Sequence, residues 1–290
     1  MITDAQTNFV YFSELLQTSP KYMAFCKNLT SILDKHNIGY GFLPETNDIW
    51  CRDYMPVQVA ENKFIEYRYD PNYLQDLKQR RTKTYPDLVC DKLGKKTVKT
   101  DIILDGGNVI KWENKVILTD KIIPENASKY LKAQLIEKLK ALFEVDTIIL
   151  IPWFIKNGMT DLFGHADGMI RFIDADRVLV DGHYKTMKSG FSDKFYKVLN
   201  ANKLKPVEFE FDVKSQSVKN WGYLNFLQMK NLMVFPQFGI DEDQQALEQF
   251  KTLFPEYASN GQIETIDASA VIKDGGVLNC LSWTIKTNIA

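Results

Sequence analysis

A short hairpin pattern recurs along this chain, and each copy carries a chemically capable residue at its head. Asp53 precedes an apolar run, a turn at Glu61-Asn62-Lys63, and Phe64-Ile65-Glu66-Tyr67. Asp105 precedes Gly106-Gly107-Asn108-Val109-Ile110, a turn at Glu113-Asn114-Lys115, and Val116-Ile117-Leu118. Asp167 precedes Gly168-Met169-Ile170, a turn at Asp174-Ala175-Asp176, and Val178-Leu179-Val180. A looser copy runs from Asn225 through Lys230-Asn231 to Met233-Val234-Phe235, and Cys280 heads Leu281-Ser282-Trp283-Thr284-Ile285. Successive heads stand 52, 62, 58 and 55 residues apart. Internal repeats at such a period mark an array or a propeller.

Helical patterns fall between the hairpins. Residues 21–36 place Phe25, Leu29, Ile32 and Leu33 on one face, and residues 128–143 do so with Leu131, Leu135, Leu139 and Leu142, with Asn126 as the expected cap. Shorter amphipathic stretches occupy 192–200 and 241–254, where Pro255 is expected to stop the last helix. Residues 72–95 read as two weak helices split by Pro86. On the N-terminal side of each head lies a short apolar strand, at 38–43, 100–104, 147–152, 207–211 and 263–266. Each module therefore reads strand, head, hairpin, helix. Five such modules predict an α/β-propeller closed into a ring, which removes exposed sheet edges, with residues 8–12 pairing the last module. No Pro/Gly/Ser linker interrupts the chain, so residues 1–290 are read as one domain. The alternative, an ordinary α/β sheet with accidental spacing, does not account for hairpins that share strand order as well as spacing.

Bulk properties narrow the function classes. A composition of 45% apolar and 25% charged residues is that of a soluble globular protein. The formal charge of −1 gives no footprint for nucleic acid, and Lys78-Gln79-Arg80-Arg81-Thr82-Lys83 reads as a solvated helix end. No apolar run is long enough to span a bilayer, and the first residues lack the features of a signal peptide. Cys26, Cys51, Cys90 and Cys280 are far apart and read as free thiols of a reducing compartment, hence a cytoplasmic location.

In a ring of equivalent modules, the heads converge on the axis. Asp53, Asp105, Asp167, Asn225 and Cys280 are then expected to face one pocket, joined by His165, which shares a strand face with Asp167 if the backbone is extended there. Enclosed carboxylates repel one another unless a cation lies between them. A metal is one candidate, although no His-x-x-x-His or Cys-x-x-Cys spacing accompanies the heads. The other is a planar guanidinium, which carboxylates grip through its fixed fork of N–H donors. A thiol aimed at its central carbon is a nucleophile, and an imidazole moves the protons.

The segment Asn47-Asp48-Ile49-Trp50-Cys51-Arg52-Asp53-Tyr54-Met55-Pro56 resembles the N-D-x-W-x-R-D-x-G-P signature of the agmatine deiminase and bacterial-type peptidylarginine deiminase family. So do Asp105-Gly106-Gly107-Asn108, Gly164-His165-Ala166-Asp167, Tyr223-Leu224-Asn225-Phe226 with Pro236-Gln237-Phe238-Gly239, and Gly275-Gly276-Val277-Leu278-Asn279-Cys280. The matches run in family order from about residue 47 to the C-terminus. The resemblance implies the five-module α/β-propeller of the pentein fold and a hydrolase that deiminates a guanidino substrate. It places Cys280 as nucleophile, His165 as general acid/base, and Asp53 and Asp167 as the guanidinium grip. Asp105 falls beside the histidine, and Asn225, Asn108 and Trp50 fall among the substrate-lining residues. No metal or organic cofactor is implied; the expected partner is a small guanidino molecule, with no nucleic acid and no membrane, and the family suggests a homodimer. The rivals are amidino transfer from the same adduct and a non-catalytic binding protein on the same ring.

Other residues are read structurally. His36 and His183 are assigned to surface or structural roles, Cys51 to none, and Arg52 either to an internal ion pair or to the ligand. Met55 stands where the family usually has Gly, and Gly168 where Asn is common. The segment Arg68-Tyr69-Asp70-Pro71-Asn72-Tyr73 replaces a Gly/Trp-rich stretch. The catalytic core thus transfers more firmly than the substrate tail.

Overall fold

The repeat is realised as five three-stranded sheets of one construction. The computed structural model describes residues 1–288 apart from 154, 157–158, 161, 188–189 and 213–219. The sheets are Val57–Ala60, Lys63–Arg68 and Val98–Ile103; Ile110–Trp112, Lys115–Thr119 and Thr147–Ile151; Ile170–Phe172, Arg177–Asp181 and Lys205–Phe209; and Leu227–Met229, Leu232–Gln237 and Ile263–Asp267. The fifth joins the chain ends as Trp283–Ile285, Phe9–Ser13 and Gly39–Leu43. In every sheet the first pair is antiparallel and the third strand runs parallel to the second.

The local sequence accounts for this order. Two-residue loops close three hairpins, at Glu61-Asn62, Glu113-Asn114 and Lys230-Asn231. A parallel third strand needs a crossover, and in each module a helix supplies it: Pro86–Lys92, Lys132–Phe143, Phe191–Ala201, Asp243–Leu253 and Met23–Lys35. Their apolar faces pack on the sheets; Phe226, Phe235 and Phe250, for example, are fully buried together. Each such side chain contributes about 1.5–3 kcal/mol.

The structure shifts the frame of the module. The strand that runs into a head belongs to the preceding hairpin's sheet: Val98–Ile103 leads to Asp105 yet pairs with Lys63–Arg68. The unit is therefore turn, hairpin, helix, strand. Asn126 is not a cap either. It ends the short helix Ile122–Asn126 and staples it to the sheet, exchanging hydrogen bonds with both the N–H and the carbonyl of Ile103 at 2.8 and 2.9 Å. Pro255 begins a further helix, Pro255–Ser259, because a first-turn proline forfeits no intrahelical bond. The basic stretch is a solvated single turn, Gln79–Thr82, from which Lys83 and Arg80 reach back to Asp70 at 2.9 and 3.6 Å.

The second residue of each innermost strand is polar and buried: Gln58, Lys111, Arg171, Gln228 and Thr284. All four cysteines are free and buried. Among the described residues, no helix is long and apolar enough to cross a membrane.

Candidate active site

Each head lies in or beside a single helical turn that feeds the innermost strand. The turns are Cys51–Tyr54, Gly106–Asn108, Ala166–Gly168, Asn220–Leu224 and Leu278–Leu281. The first four touch in succession, and the last packs on the first. The Asn279 N–H donates to the Asn225 carbonyl at 2.9 Å, which joins the fourth station to the fifth. His165 and Asp167 accordingly do not share a strand face. His165 has extended backbone and Asp167 lies in the following turn, which brings both inward by a different route.

Five of the expected residues form one buried constellation. His165 Nε2 lies 3.0 Å from Asp105 Oδ2, and Nδ1 lies 3.5 Å from Asp53 Oδ1. Across the site the Cys280 thiol donates to Asp167 Oδ2 at 3.3 Å, and the Asn279 amide donates to the same oxygen at 2.7 Å. The approach is tight enough to require glycine. A Cβ at Gly107 would fall 2.5 Å from Asp53 Oδ1 and 2.8 Å from His165 Nδ1.

Burial and charge set the protonation states. Burial works against a charged His165, but Asp53 and Asp105 outweigh it and hold the imidazolium up to about 9. Burial pushes Asp53 up to about 7 against the pull of His165, with Asp167 and Asp105 adding to the rise. Burial, then Asp167 and Asp53, push the Cys280 thiol well above its ordinary range. Asp105 is held below the ordinary range: burial opposes this, and Lys121 and His165 prevail.

The remaining expected residues brace the turns around this group. Asn225 Oδ1 accepts the N–H groups of Val277 and Cys280 at 3.2 and 3.1 Å, fixing the turn that carries the thiol. Asn108 Oδ1 accepts the Thr119 N–H at 2.8 Å and braces the second hairpin. Trp50 packs where a Cβ at Gly276 would fall 2.3 Å from its ring, so it walls the approach to the Cys280 turn. Arg52 is an internal partner: it donates to the Asn279 carbonyl and to Thr284 Oγ1, both at 3.3 Å. Cys51 faces the Tyr54 hydroxyl at 3.3 Å. His36 pairs with Glu264 at 2.7 Å, apart from the site.

Two neighbours had no signal in the heads, Lys121 and Tyr73. Lys121, 1% exposed, pairs with Asp105 at 2.8 Å and with Glu125 at 3.0 Å. The Tyr73 hydroxyl reaches His165 Nε2 at 3.4 Å, and its ring packs edge-on to Phe163 with centroids 5.1 Å apart. Tyr73 comes from the segment whose sequence departs from the family pattern. Among the described residues, no group of three or more His, Cys, Asp or Glu side chains is placed to hold a metal ion.

Comparison with known proteins bears on the fold and the family. The chain is 24% identical over 279 residues, 82% of its length and 76% of the other's, to a Vibrio parahaemolyticus protein whose agmatine deiminase name is itself provisional. Among solved structures, C. jejuni agmatine deiminase superposes with a TM-score of 0.71 at 18% identity, covering 98% of this chain and 94% of that one. Dimethylarginine dimethylaminohydrolase of Pseudomonas aeruginosa, DDAH, superposes with a TM-score of 0.58 at 12% identity, covering 97% and 100%. These likenesses place the five sheets in the pentein fold. The family model for the Porphyromonas-type peptidyl-arginine deiminases matches residues 3–285, nearly the whole chain, and the chain belongs to that family.

Proposed function

We propose that this protein hydrolyses the guanidino group of a small agmatine- or arginine-type substrate to a ureido product and ammonia, through a covalent adduct on Cys280. One observation carries the reading: the Cys280 thiol and Asp167 face an enclosed site whose other side is His165 held between Asp53 and Asp105. Asp53 Oδ1 is buried without a hydrogen bond from the protein, as a group that accepts from a bound guanidinium would be.

The chemistry follows from the charges. A guanidinium gripped by Asp53 and Asp167 cancels the two carboxylates that, after burial, hold the thiol protonated. The thiol proton leaves to solvent, and the thiolate attacks the guanidinium carbon to give a neutral tetrahedral adduct. Protonated His165 donates to one nitrogen, the C–N bond breaks, ammonia departs, and a cationic S-alkylthiouronium remains. Neutral His165 then takes a proton from water as the oxygen attacks the same carbon. Collapse breaks the C–S bond, frees the thiolate, and releases the ureido product together with one proton, which ammonia takes up.

The test is ammonia release from agmatine, free arginine and a peptide ending in arginine. Cys280→Ala is expected to abolish release while leaving the melting temperature unchanged within a few degrees. Turnover by that variant would remove Cys280 as nucleophile, and a new guanidino compound formed with added amines would indicate transfer instead.

A further inference from the structure

Beneath the site lies a second buried polar layer that the proposed reaction does not use. Gln58, Lys111, Arg171, Gln228 and Thr284, one from each innermost strand, line two small cavities that share Lys111. Arg52 borders one of them. Three buried cations thus face a single carboxylate, Asp4, carried in by the one-turn helix Asp4–Gln6. Asp4 lies 3.2 Å from Arg171, 3.4 Å from Lys111 and 3.9 Å from Arg52. Burial works against its charge, yet Lys111, Arg52 and Arg171 hold its carboxyl down at about 2.

The remaining donors of both arginines reach the supports of the nucleophile. Arg52 Nε donates to the carbonyl of Asn279, the residue before Cys280. Arg171 donates to the carbonyls of Phe226 at 3.0 Å and Leu224 at 3.5 Å, on either side of Asn225. Asn225 in turn accepts the Cys280 N–H with its side chain and the Asn279 N–H with its own carbonyl. Two routes therefore lead from Asp4 to the turn that carries the thiol, one a hydrogen bond through Arg171 and the other a longer ion pair through Arg52.

We infer that Asp4 is a positioning residue for Cys280, acting through Arg52 and Arg171, and that its charge sets how much of their positive potential the thiol feels. The inference rests on Cys280 being the nucleophile. Several charged groups act on that thiol: Asp167 and Asp53 from the site side, and Arg171, whose interaction partners include Asp167 and Cys280, from below. Removing the Asp4 charge leaves the arginines uncompensated and favours the thiolate. Removing Lys111, the third cation on Asp4, acts in the opposite sense. Both changes break the same buried ion cluster, so a merely structural contribution would move the two variants together.

The experiment follows alkylation of Cys280 by iodoacetamide against pH in the full chain, read on the Cys280 peptide by mass spectrometry so that Cys26, Cys51 and Cys90 do not intrude. Asp4→Asn is expected to lower the pH midpoint by on the order of half a unit or more, and Lys111→Met to raise it. The double variant should fall between them, and Asp4→Glu should keep the wild-type midpoint. Midpoints that stay put, or that move in the same direction, overturn the inference; should one single variant not fold, the sign in the other decides. Alkylation needs no turnover, so this outcome is independent of the Cys280→Ala test of the reaction itself.

Discussion

Replacing Asp105 with Asn probes the electrostatic frame of His165 with almost no change of shape. The imidazolium is held up to about 9 from an ordinary 6.5, although burial pulls the other way. That rise is roughly 2.5 pH units, or about 3 kcal/mol favouring the charged form. The carboxylates therefore supply more than this, since they also offset burial. Asp105 makes the closer contact, 3.0 Å against 3.5 Å for Asp53, and contributes both a hydrogen bond and a charge. Its loss should drop the His165 midpoint by on the order of one to two units, and the Lys121 ammonium, left with Glu125 alone, pushes the same way. The linkage has a definite sign. A histidine whose folded value is raised stabilises the protein fully below its unfolded value near 6.5, and that stability fades as pH climbs through about 9. In Asp105→Asn the contribution shrinks and its fade ends at lower pH. The chain has three histidines, so NMR of histidine-labelled protein reads the midpoint directly. The alkaline limb of ammonia release should fall in parallel, because His165 acts there as the acid. A His165 midpoint still within about 0.3 unit of the wild-type value would refute the reasoning.

Asn225→Ala leaves the buried N–H groups of Val277 and Cys280 without their acceptor, so urea unfolding should show a loss of roughly 2–5 kcal/mol. Lys121→Met leaves Asp105 and Glu125 as adjacent buried acids and should cost about 3–5 kcal/mol. Adding Glu125→Gln to that variant should recover part of the loss, a coupling that a double-mutant cycle measures.

The periodicity of heads and hairpins was legible because each sheet is built from a local hairpin plus one strand returned by a helix. Sequence separation there mirrors spatial order. The five convergent residues were legible for the same reason, with family motifs at each head. What escaped reading is what touches across modules. Lys121 stands just ahead of the short helix Ile122–Asn126 and reads as a surface lysine until Asp105 and Glu125 are seen around it. Tyr73 arrives from a segment with no repeat signature, and Asp4 from a turn that precedes the first strand. Asn126 departs from the capping expectation because its side chain bonds to Ile103, a partner 23 residues away that a capping rule does not consider. The single helical turns at the heads leave no signature because one turn carries too few residues to show a period.

The sheet that pairs Phe9–Ser13 with Trp283–Ile285 has a consequence for how the molecule comes into being. On the ribosome the first of these segments emerges early and waits for the last to be made. Pairing so distant in sequence is slow and depends on a nearly complete chain. Cys280 lies just ahead of Trp283, so the same event that seals the ring also seats the thiol. A nascent or truncated product therefore has no assembled centre, and competence arrives together with the finished fold. Joining the two ends and opening the chain between other modules would move that final event elsewhere while preserving every contact around the axis.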